Sequence, residues 1–499
     1  MTKNIKGGSL RLSQLSDAYS GQPDPEIEGL SEDSRRIEAG WLFAAFPGTK
    51  VDGRRFVEEA VRHGAVAILS DRQIEIPVGH QVAMLQADNP RRTLALMAAR
   101  FYGRQPETIV AVTGTNGKTS TAWFVQQLWE ALDIKAASLG TLGIRGIEIE
   151  ALRNAKLTSM TTPDMVSLMA TLADLAASGI HHLAMEASSH GLAQCRLDGV
   201  KIRAAAFTNL TRDHLDYHPD MADYFSAKAR LFKDVLAEDG VAVLNADIAE
   251  YPALKKICDD RKIRVIDYGR QAQALKLIER HAEADGQALV IGWQGKILEV
   301  TIPLVGEFMV MNALAALGLV LTDMPERIND LIGALGTLKG APGRLQFVPD
   351  HPHGAVYVDY AHTPDALENI LKALRPHTKG KLFCVVGCGG DRDPGKRPIM
   401  GRLASLLADV AVITDDNPRN EDPAKIRAAM MAEAPGAHEI GDRRDAIIWA
   451  IRNMRQGDVL VIAGKGHEQG QIISGRVEPF DDLKEAALAI RNLKQESIK

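Results

Sequence analysis

The stretch IVAVTGTNGKTSTAW, residues 109–123, constrains this chain more than any other. An apolar, β-branched run reaches Thr-Gly-Thr-Asn-Gly-Lys-Thr and continues at once in a helical pattern. A strand that turns into a helix this abruptly leaves the first helical amides without intrahelical partners, at the positive end of the helix dipole. Gly114 and Gly117 allow the backbone to curl closely around phosphate oxygens, and Thr115, Asn116 and Ser120 are expected to bind the nucleotide with them. Lys118 can reach the β- and γ-phosphates, and the Thr119 hydroxyl can join a Mg²⁺ shell. The usual phosphate-loop pattern wants a glycine at position 112, where this chain has Val112. With no guanine-reading Asn-Lys-x-Asp motif either, the expected nucleotide is ATP, in an enzyme that is neither a motor nor a switch.

Three blocks are expected along the 499 residues. Block 1–105 reads as a small α/β domain, with apolar runs at 41–46 and 65–69 and a helical pattern near 54–63. Block 106–345 opens with a strand at 108–113 and a helix at 118–132. Further strand-like runs follow at 182–185, 204–207 and 241–244. Block 346–499 repeats the style at 356–358, 382–386, 410–413 and 459–462. The alternation predicts α/β domains with mostly parallel sheets covered by helices. Each run in the last block leads into a loop rich in Gly, Asp, Asn or Pro, and ligands of such folds sit at the carboxyl ends of strands.

With a net charge of −5, nucleic acid is not an expected partner. No apolar block opens the chain, and the longest apolar run, 308–322, suits a buried helix better than a membrane span. The four cysteines form no CxxC pair or disulfide framework, and Cys384 and Cys388 read as small buried residues. A cytoplasmic protein is expected.

Two further segments bear charge where chemistry could use it. In HHLAMEASSHGLAQCR, Glu186 closes a strand-like run and could hold Mg²⁺, with Ser188, Gln194 and Arg196 following as polar contacts in what reads as a loop. In TNLTRDHLDYHPDMADYFSAKARLF, Asp213, His214, Asp216 and His218 crowd together. Lys228 follows on a helical stretch, beside an apolar face of Tyr224, Phe225, Leu231 and Phe232. Taken alone, such a lysine is usually solvated.

TGTNGKT, MEASSHGL, TNLTRDHLDYH and AKARLF, in this order, resemble the Mur ligases, the ATP-dependent amino-acid-adding enzymes of peptidoglycan synthesis. APGRLQF, VDYAHTPDAL, GCGGDRDPGKRP, DDNPRNEDP and AGKGHE extend the resemblance over nearly the whole chain. It is greatest to the members that add the third residue of the stem peptide. The resemblance implies three domains. The first binds the uridine-nucleotide precursor, the second is a P-loop ATPase-like domain, and the third is Rossmann-like and binds the amino acid. It also implies a reaction. ATP phosphorylates a substrate carboxylate, and an amine attacks the acyl phosphate. Two anions must then approach each other, so positioning and positive charge do most of the work.

By the same resemblance, Lys118, Glu186, His214 and Lys228 are catalytic. Thr119 and Glu186 hold one Mg²⁺, His214 helps hold a second, and Lys228 carries a CO₂-derived carbamate. The chemistry is sensible, because an ammonium repels Mg²⁺ and a carbamate offers it oxygen. Carbamylation needs a neutral amine, hence a lowered pKa. Asn312 and Arg344 match positions near the nucleotide, although GEFMVMN has Met309 where the family often has an asparagine. Ser34, Thr49, Lys50 and Val51 match uridine-diphosphate contacts. Thr161, Thr162, Ser188, Gln194 and Arg196 match contacts to the muramoyl peptide.

The acceptor is expected to be meso-diaminopimelate, joined to UDP-N-acetylmuramoyl-L-alanyl-D-glutamate by a monomeric enzyme. Asp416, Asn417 and Pro418 form a stiff turn that would present Arg419 as a planar fork to a carboxylate. Diaminopimelate has a distal carboxylate that lysine lacks, and lysine-adding relatives lack this arginine. Arg392, Gly464 and Glu468 match further acceptor contacts. Three alternatives are open. One is a same-family ligase with another acceptor, of the L-lysine, folylpolyglutamate or D-alanyl-D-alanine type. The second is an ATP-gated binding protein, and the third a non-catalytic scaffold.

Overall fold

The computed structural model describes residues 8–48, 51–146, 161–214, 217–283 and 286–498. The chain divides into two compact units, Met1–Leu275 with Ala315–Ile328, and Lys276–Leu314 with Asn329–Lys499. Both are α/β with mostly parallel sheets.

In the first unit, the strands Gly29–Ser31, Trp41–Ala44, Ala67–Ser70 and Ala83–Gln86 form a parallel sheet in that order. Helix Pro90–Tyr102 follows. The Asn89 side chain accepts from Arg92 N at its start, proline stands in its first turn, and Leu94, Ala98 and Phe101 are buried. Within this unit, part of a larger ten-stranded sheet runs Arg264–Gly269, Val241–Asn245, Ile202–Phe207, Thr108–Thr113, His182–Glu186, Ala136–Gly140 and Gly143–Arg145. Of these seven strands, only the last pair is antiparallel. Ile109 to Thr113 are all buried, the unbroken pattern of a strand covered on both faces.

Chain direction across this sheet reverses at Thr108–Thr113. The next strands, Ala136–Gly140 and His182–Glu186, lie on one side of it, and Ile202–Phe207 lies on the other. Glu186 pairs with Val112 and Phe207 with Thr113. Three strands therefore end level at the topological switch point, where α/β sheets place their ligands. Helix Lys118–Glu130 starts there.

In the second unit the sheet order is Gln346–Val348, Gly354–Asp359, Asp458–Ala463, Leu382–Val386, Val410–Ile413 and His438–Glu439. Only the first pair is antiparallel. The loops after residues 359, 386, 413 and 463 all leave from carboxyl ends of parallel strands. A hairpin, Gly470–Ile473 with Arg476–Pro479, follows the last of them. Its turn residues, Ser474 and Gly475, both have positive φ, the conformation of a tight two-residue hairpin turn.

The apolar run near 308 forms helix Glu307–Val320, with Val310, Leu314 and Leu317 buried. Among the described residues, no helix is long and apolar enough to cross a membrane. All four cysteines are free and buried.

Candidate active site

The phosphate loop is tied down from the side. Thr115 N donates to Asn209 O (2.9 Å). Asn116 N donates to Asn209 Oδ1 (2.9 Å), and Thr208 Oγ1 to Asn116 O (2.6 Å). Thr211 N donates to Thr115 Oγ1 (3.0 Å). Gly114 has φ +142°, and a Cβ there would collide with the Thr208 hydroxyl. This explains the displaced glycine. Val112 is still strand, buried and paired with Glu186, and the turn begins only at Gly114. The segment 208–211, leaving the adjacent strand, fixes a loop shorter than the standard one.

Lys118 Nζ donates to Gly114 O (2.9 Å) and Thr115 O (2.8 Å). Lys228 lies in helix Met221–Arg230, ahead of a π-helical turn at Leu231–Val235. Far from being solvated, it is 1% exposed, and its Nζ donates to Gly114 O at 2.8 Å. Its ammonium lies 4.4 Å from the centre of the Tyr224 ring, and Tyr224 OH donates to Thr115 Oγ1 (3.2 Å). Burial first, and the Lys118 charge second, push the Lys228 pKa well below the usual lysine value. Such an amine suits reaction with CO₂.

Thr119 Oγ1 donates to Glu186 Oε1 (3.0 Å). Thr141 adds its N–H to Oε1 (2.8 Å) and its hydroxyl to Oε2 (3.2 Å). A Cβ on Gly140 would run into the Glu186 carboxylate and would have to displace it. His214 has φ +55°. Its ring centre lies 5.0 Å from that of His190 and 6.0 Å from that of Tyr224, the residue that flanks Lys228. Among the described residues, no three His, Cys, Asp or Glu side chains converge as a metal cage. One hydroxyl and one carboxylate at a phosphate loop nevertheless fit Mg²⁺, which keeps waters and takes phosphate oxygens as ligands.

Residues 189–193, expected to be loop, form the short helix Ser189–Ala193, because the Ser188 hydroxyl accepts from Gly191 N (3.1 Å) and caps it. Thr162 Oγ1 is 3.0 Å from Ser188 Oγ and donates to Glu186 O (3.1 Å). Thr161 Oγ1 is 3.1 Å from Thr141 Oγ1. Arg196 Nη1 donates to Thr162 O (2.6 Å) and Nη2 to Gln194 Oε1 (2.7 Å). Thr161, Thr162, Ser188, Gln194 and Arg196 are thus one connected patch. Ser34 is elsewhere in the unit, buried and donating to Glu59 Oε2 (2.7 Å). Val51 is exposed, and Thr49, Lys50 and Asp216 lie outside the described residues.

The second unit gathers the acceptor candidates, except that Arg392 sits in an exposed loop, bonded to Asp391 O (3.1 Å). That loop is laced to the arginine loop through Gly390 N to Asn417 O (2.9 Å) and Asn420 Nδ2 to Asp391 Oδ2 (2.9 Å). Arg419 Nη1 donates to Gly390 O (2.8 Å). Asn417 Nδ2 donates to Glu468 Oε2 (2.8 Å). A Cβ on Gly464 would lie 3.2 Å from Asp416 Oδ2. Arg344 lies over the Tyr360 ring (4.8 Å) beside the buried Asp359. Burial pushes the Asp359 carboxyl up, against the pull of Arg344 and of amides that include Leu345 and Ala361. Asn312 and Met309 are both buried on helix Glu307–Val320.

Sequence reasoning missed Thr141, Thr208, Asn209, Asp359 and Lys465. Four of these had a legible signal. Thr208 and Asn209 open TNL, Asp359 stands inside VDYAHTPDAL, and Lys465 stands inside AGKGHE.

Three family models match consecutive stretches. They are "Mur ligase family, catalytic domain" over 26–102, "Mur ligase middle domain" over 112–320, and "Mur ligase, glutamate ligase domain" over 343–466. A UDP-N-acetylmuramoyl-L-alanyl-D-glutamate–2,6-diaminopimelate ligase of Caulobacter vibrioides is 50% identical, covering 96% of this chain and 99% of its own. A Brucella melitensis protein of the same name is 47% identical, covering 98% of each. A solved structure of a ligase of that name superposes with a TM-score of 0.74 at 34% identity, over 98% of this chain and 100% of its own. At 20% identity, MurF from Acinetobacter baumannii shares the fold (TM-score 0.62, over 92% and 96%). This chain belongs to the Mur ligase family.

Proposed function

We propose that the chain is the ATP-dependent ligase that joins meso-2,6-diaminopimelate to the D-glutamate of UDP-N-acetylmuramoyl-L-alanyl-D-glutamate, as a cytoplasmic monomer. Blocks 1–105, 106–345 and 346–499 serve the uridine precursor, the nucleotide and the amino acid in turn. The observation that carries this reading is the Thr119–Glu186 hydrogen bond at the mouth of the Lys118 loop. It brings a metal-type donor pair to a phosphate-type loop. The high identity of relatives named for this reaction supports it.

Amides of Gly114 to Ser120 and the Lys118 ammonium hold the triphosphate and neutralise charge as the γ-phosphoryl group moves to the precursor's carboxylate. Thr161, Thr162, Ser188, Gln194 and Arg196 orient the muramoyl peptide. Thr119, Glu186 and His214, with Lys228 as its carbamate, would hold Mg²⁺, which screens the two anions from each other. Arg419 takes the distal carboxylate of diaminopimelate and Glu468 an ammonium, so that the remaining amine meets the acyl phosphate.

Phosphate release from ATP is to be measured with the uridine-linked muramoyl dipeptide plus either meso-diaminopimelate or L-lysine. Release that needs the precursor and the diamino diacid together is expected. Equal turnover with lysine would favour the lysine-adding alternative. Release that needs neither co-reactant would defeat the ligase reading.

A further inference from the structure

One fully buried charge in the second unit, that of Lys465, is assigned to neither nucleotide nor acceptor. The Lys465 side chain is 0% exposed. Its Nζ donates to Gly470 O (2.6 Å), Asn417 Oδ1 (3.2 Å) and Glu468 Oε2 (3.4 Å), and lies 3.7 Å from Asp416 Oδ1. One ammonium therefore joins the arginine loop, the Gly464–Glu468 loop and the start of the hairpin Gly470–Pro479.

This junction has a direction. By drawing Asn417 Oδ1 toward itself, Lys465 turns the amide so that Nδ2 reaches Glu468 (2.8 Å) and Oδ1 also receives Ile472 N (3.0 Å). The hairpin then continues the lacing. Gln471 Nε2 donates to Asp416 O, Arg419 N to Ile472 O (2.9 Å), and Ser474 N to Arg419 O (2.6 Å). Arg419 is held as an extra bridge beside Ile473. The two side chains that read opposite charges on the acceptor, Arg419 and Glu468, are thus spaced through Lys465.

We propose that Lys465 is a positioning residue for the acceptor amino acid, fixing the separation of Arg419 and Glu468 and with it the choice of a diamino diacid over a diamino monoacid. The proposal rests on the acceptor-site reading given above. Lys465 touches no reacting atom in this scheme. Its loss should act on acceptor binding and selection, and not on the nucleotide.

The test is a steady-state comparison of wild type, Lys465→Met and Arg419→Ala with saturating ATP and precursor, varying meso-diaminopimelate or L-lysine. For Lys465→Met, KM for diaminopimelate is expected to rise roughly tenfold or more, with a comparable fall in the preference over lysine, as for a lost charged hydrogen bond. KM for ATP should stay within about twofold. Removing the ammonium takes a cation from beside the buried Asp416, so Lys465→Met is also made with Asp416→Asn, which restores the net charge of the cluster. A folded variant, checked by its melting curve, with unchanged diaminopimelate KM and unchanged preference overturns the proposal. If Arg419→Ala changes the preference and Lys465→Met does not, this inference alone fails. If neither changes it, the acceptor-site reading fails first.

Discussion

Lys118 and Lys228, 110 residues apart in sequence by their numbers, donate to the same carbonyl oxygen, that of Gly114, at 2.9 and 2.8 Å. Two ammonium groups on one acceptor repel each other. Only Lys118 belongs to the phosphate loop, while Lys228 is brought there by a helix and sealed under Tyr224.

Lys228 should therefore cost the fold stability whenever it must carry its proton. Its pKa is lowered on folding, so the penalty is absent above the ordinary lysine value of 10.5, grows as the pH falls below it, and is complete below the folded pKa. Under CO₂-free conditions, Lys228→Met should melt higher than wild type at neutral pH, with the gap closing as the pH approaches 10.5. Urea melts across that range measure it. Activity should move the other way. Lys228→Ala should lose roughly a hundredfold or more in turnover, and added small carboxylates should restore part of it. Full activity in Lys228→Ala would remove the carbamate.

Glu186 binds through a geometry that leaves no room for a methyl group at Gly140. Gly140→Ala should displace the carboxylate from Thr119 and raise the Mg²⁺ concentration needed for half-maximal phosphate release by roughly 10–100-fold. Thr119→Val should act the same way by removing the hydroxyl. A magnesium titration of phosphate release distinguishes this from simple unfolding, because excess Mg²⁺ should recover turnover.

Arg419→Ala should raise KM for diaminopimelate by roughly one to two decades and leave ATP binding nearly unchanged. Isothermal titration with a non-hydrolysable ATP analogue, beside acceptor kinetics, separates the two. An unchanged diaminopimelate KM would sink this role for Arg419.

Arg443 and Asp482 form an ion pair with both side chains fully buried (2.7 Å). Arg443 also donates to Ala463 O (2.9 Å), just ahead of the Gly464–Glu468 loop. Arg443→Met leaves a buried carboxylate alone and should cost about 3–5 kcal/mol. Arg443→Met with Asp482→Leu should recover most of that loss, as read by chemical denaturation.

Much of this was legible because parallel strands buried on both faces are written as unbroken apolar runs. The expected strands at 382–386 and 410–413 match those observed, and 108–113 does so as well. Glu186 could be placed because it closes such a run, and Arg419 because it stands in the loop that leaves the strand Val410–Ile413. The strands Gln287–Trp293 and Lys296–Ile302 went unread. Neither is buried on both faces: Ala288, Val290 and Gly292 are half-exposed in the first, and Lys296, Glu299 and Thr301 are exposed in the second, so no fully buried apolar run marks them, and the Gln294–Gly295 turn was a local clue. The burial of Lys228 and Lys465 was equally hidden. Nothing adjacent to a lysine reports that carbonyls from distant loops will close around it.

Arg419 is held at φ +52°, a left-handed backbone in which a side chain costs about 1–2 kcal/mol relative to glycine. Selectivity is thus mounted on the very bond rotation that a search for durability would relax first. Mutagenesis campaigns scored on heat resistance alone should drift toward glycine or asparagine at this position, yielding hardier proteins that no longer tell their amino acids apart.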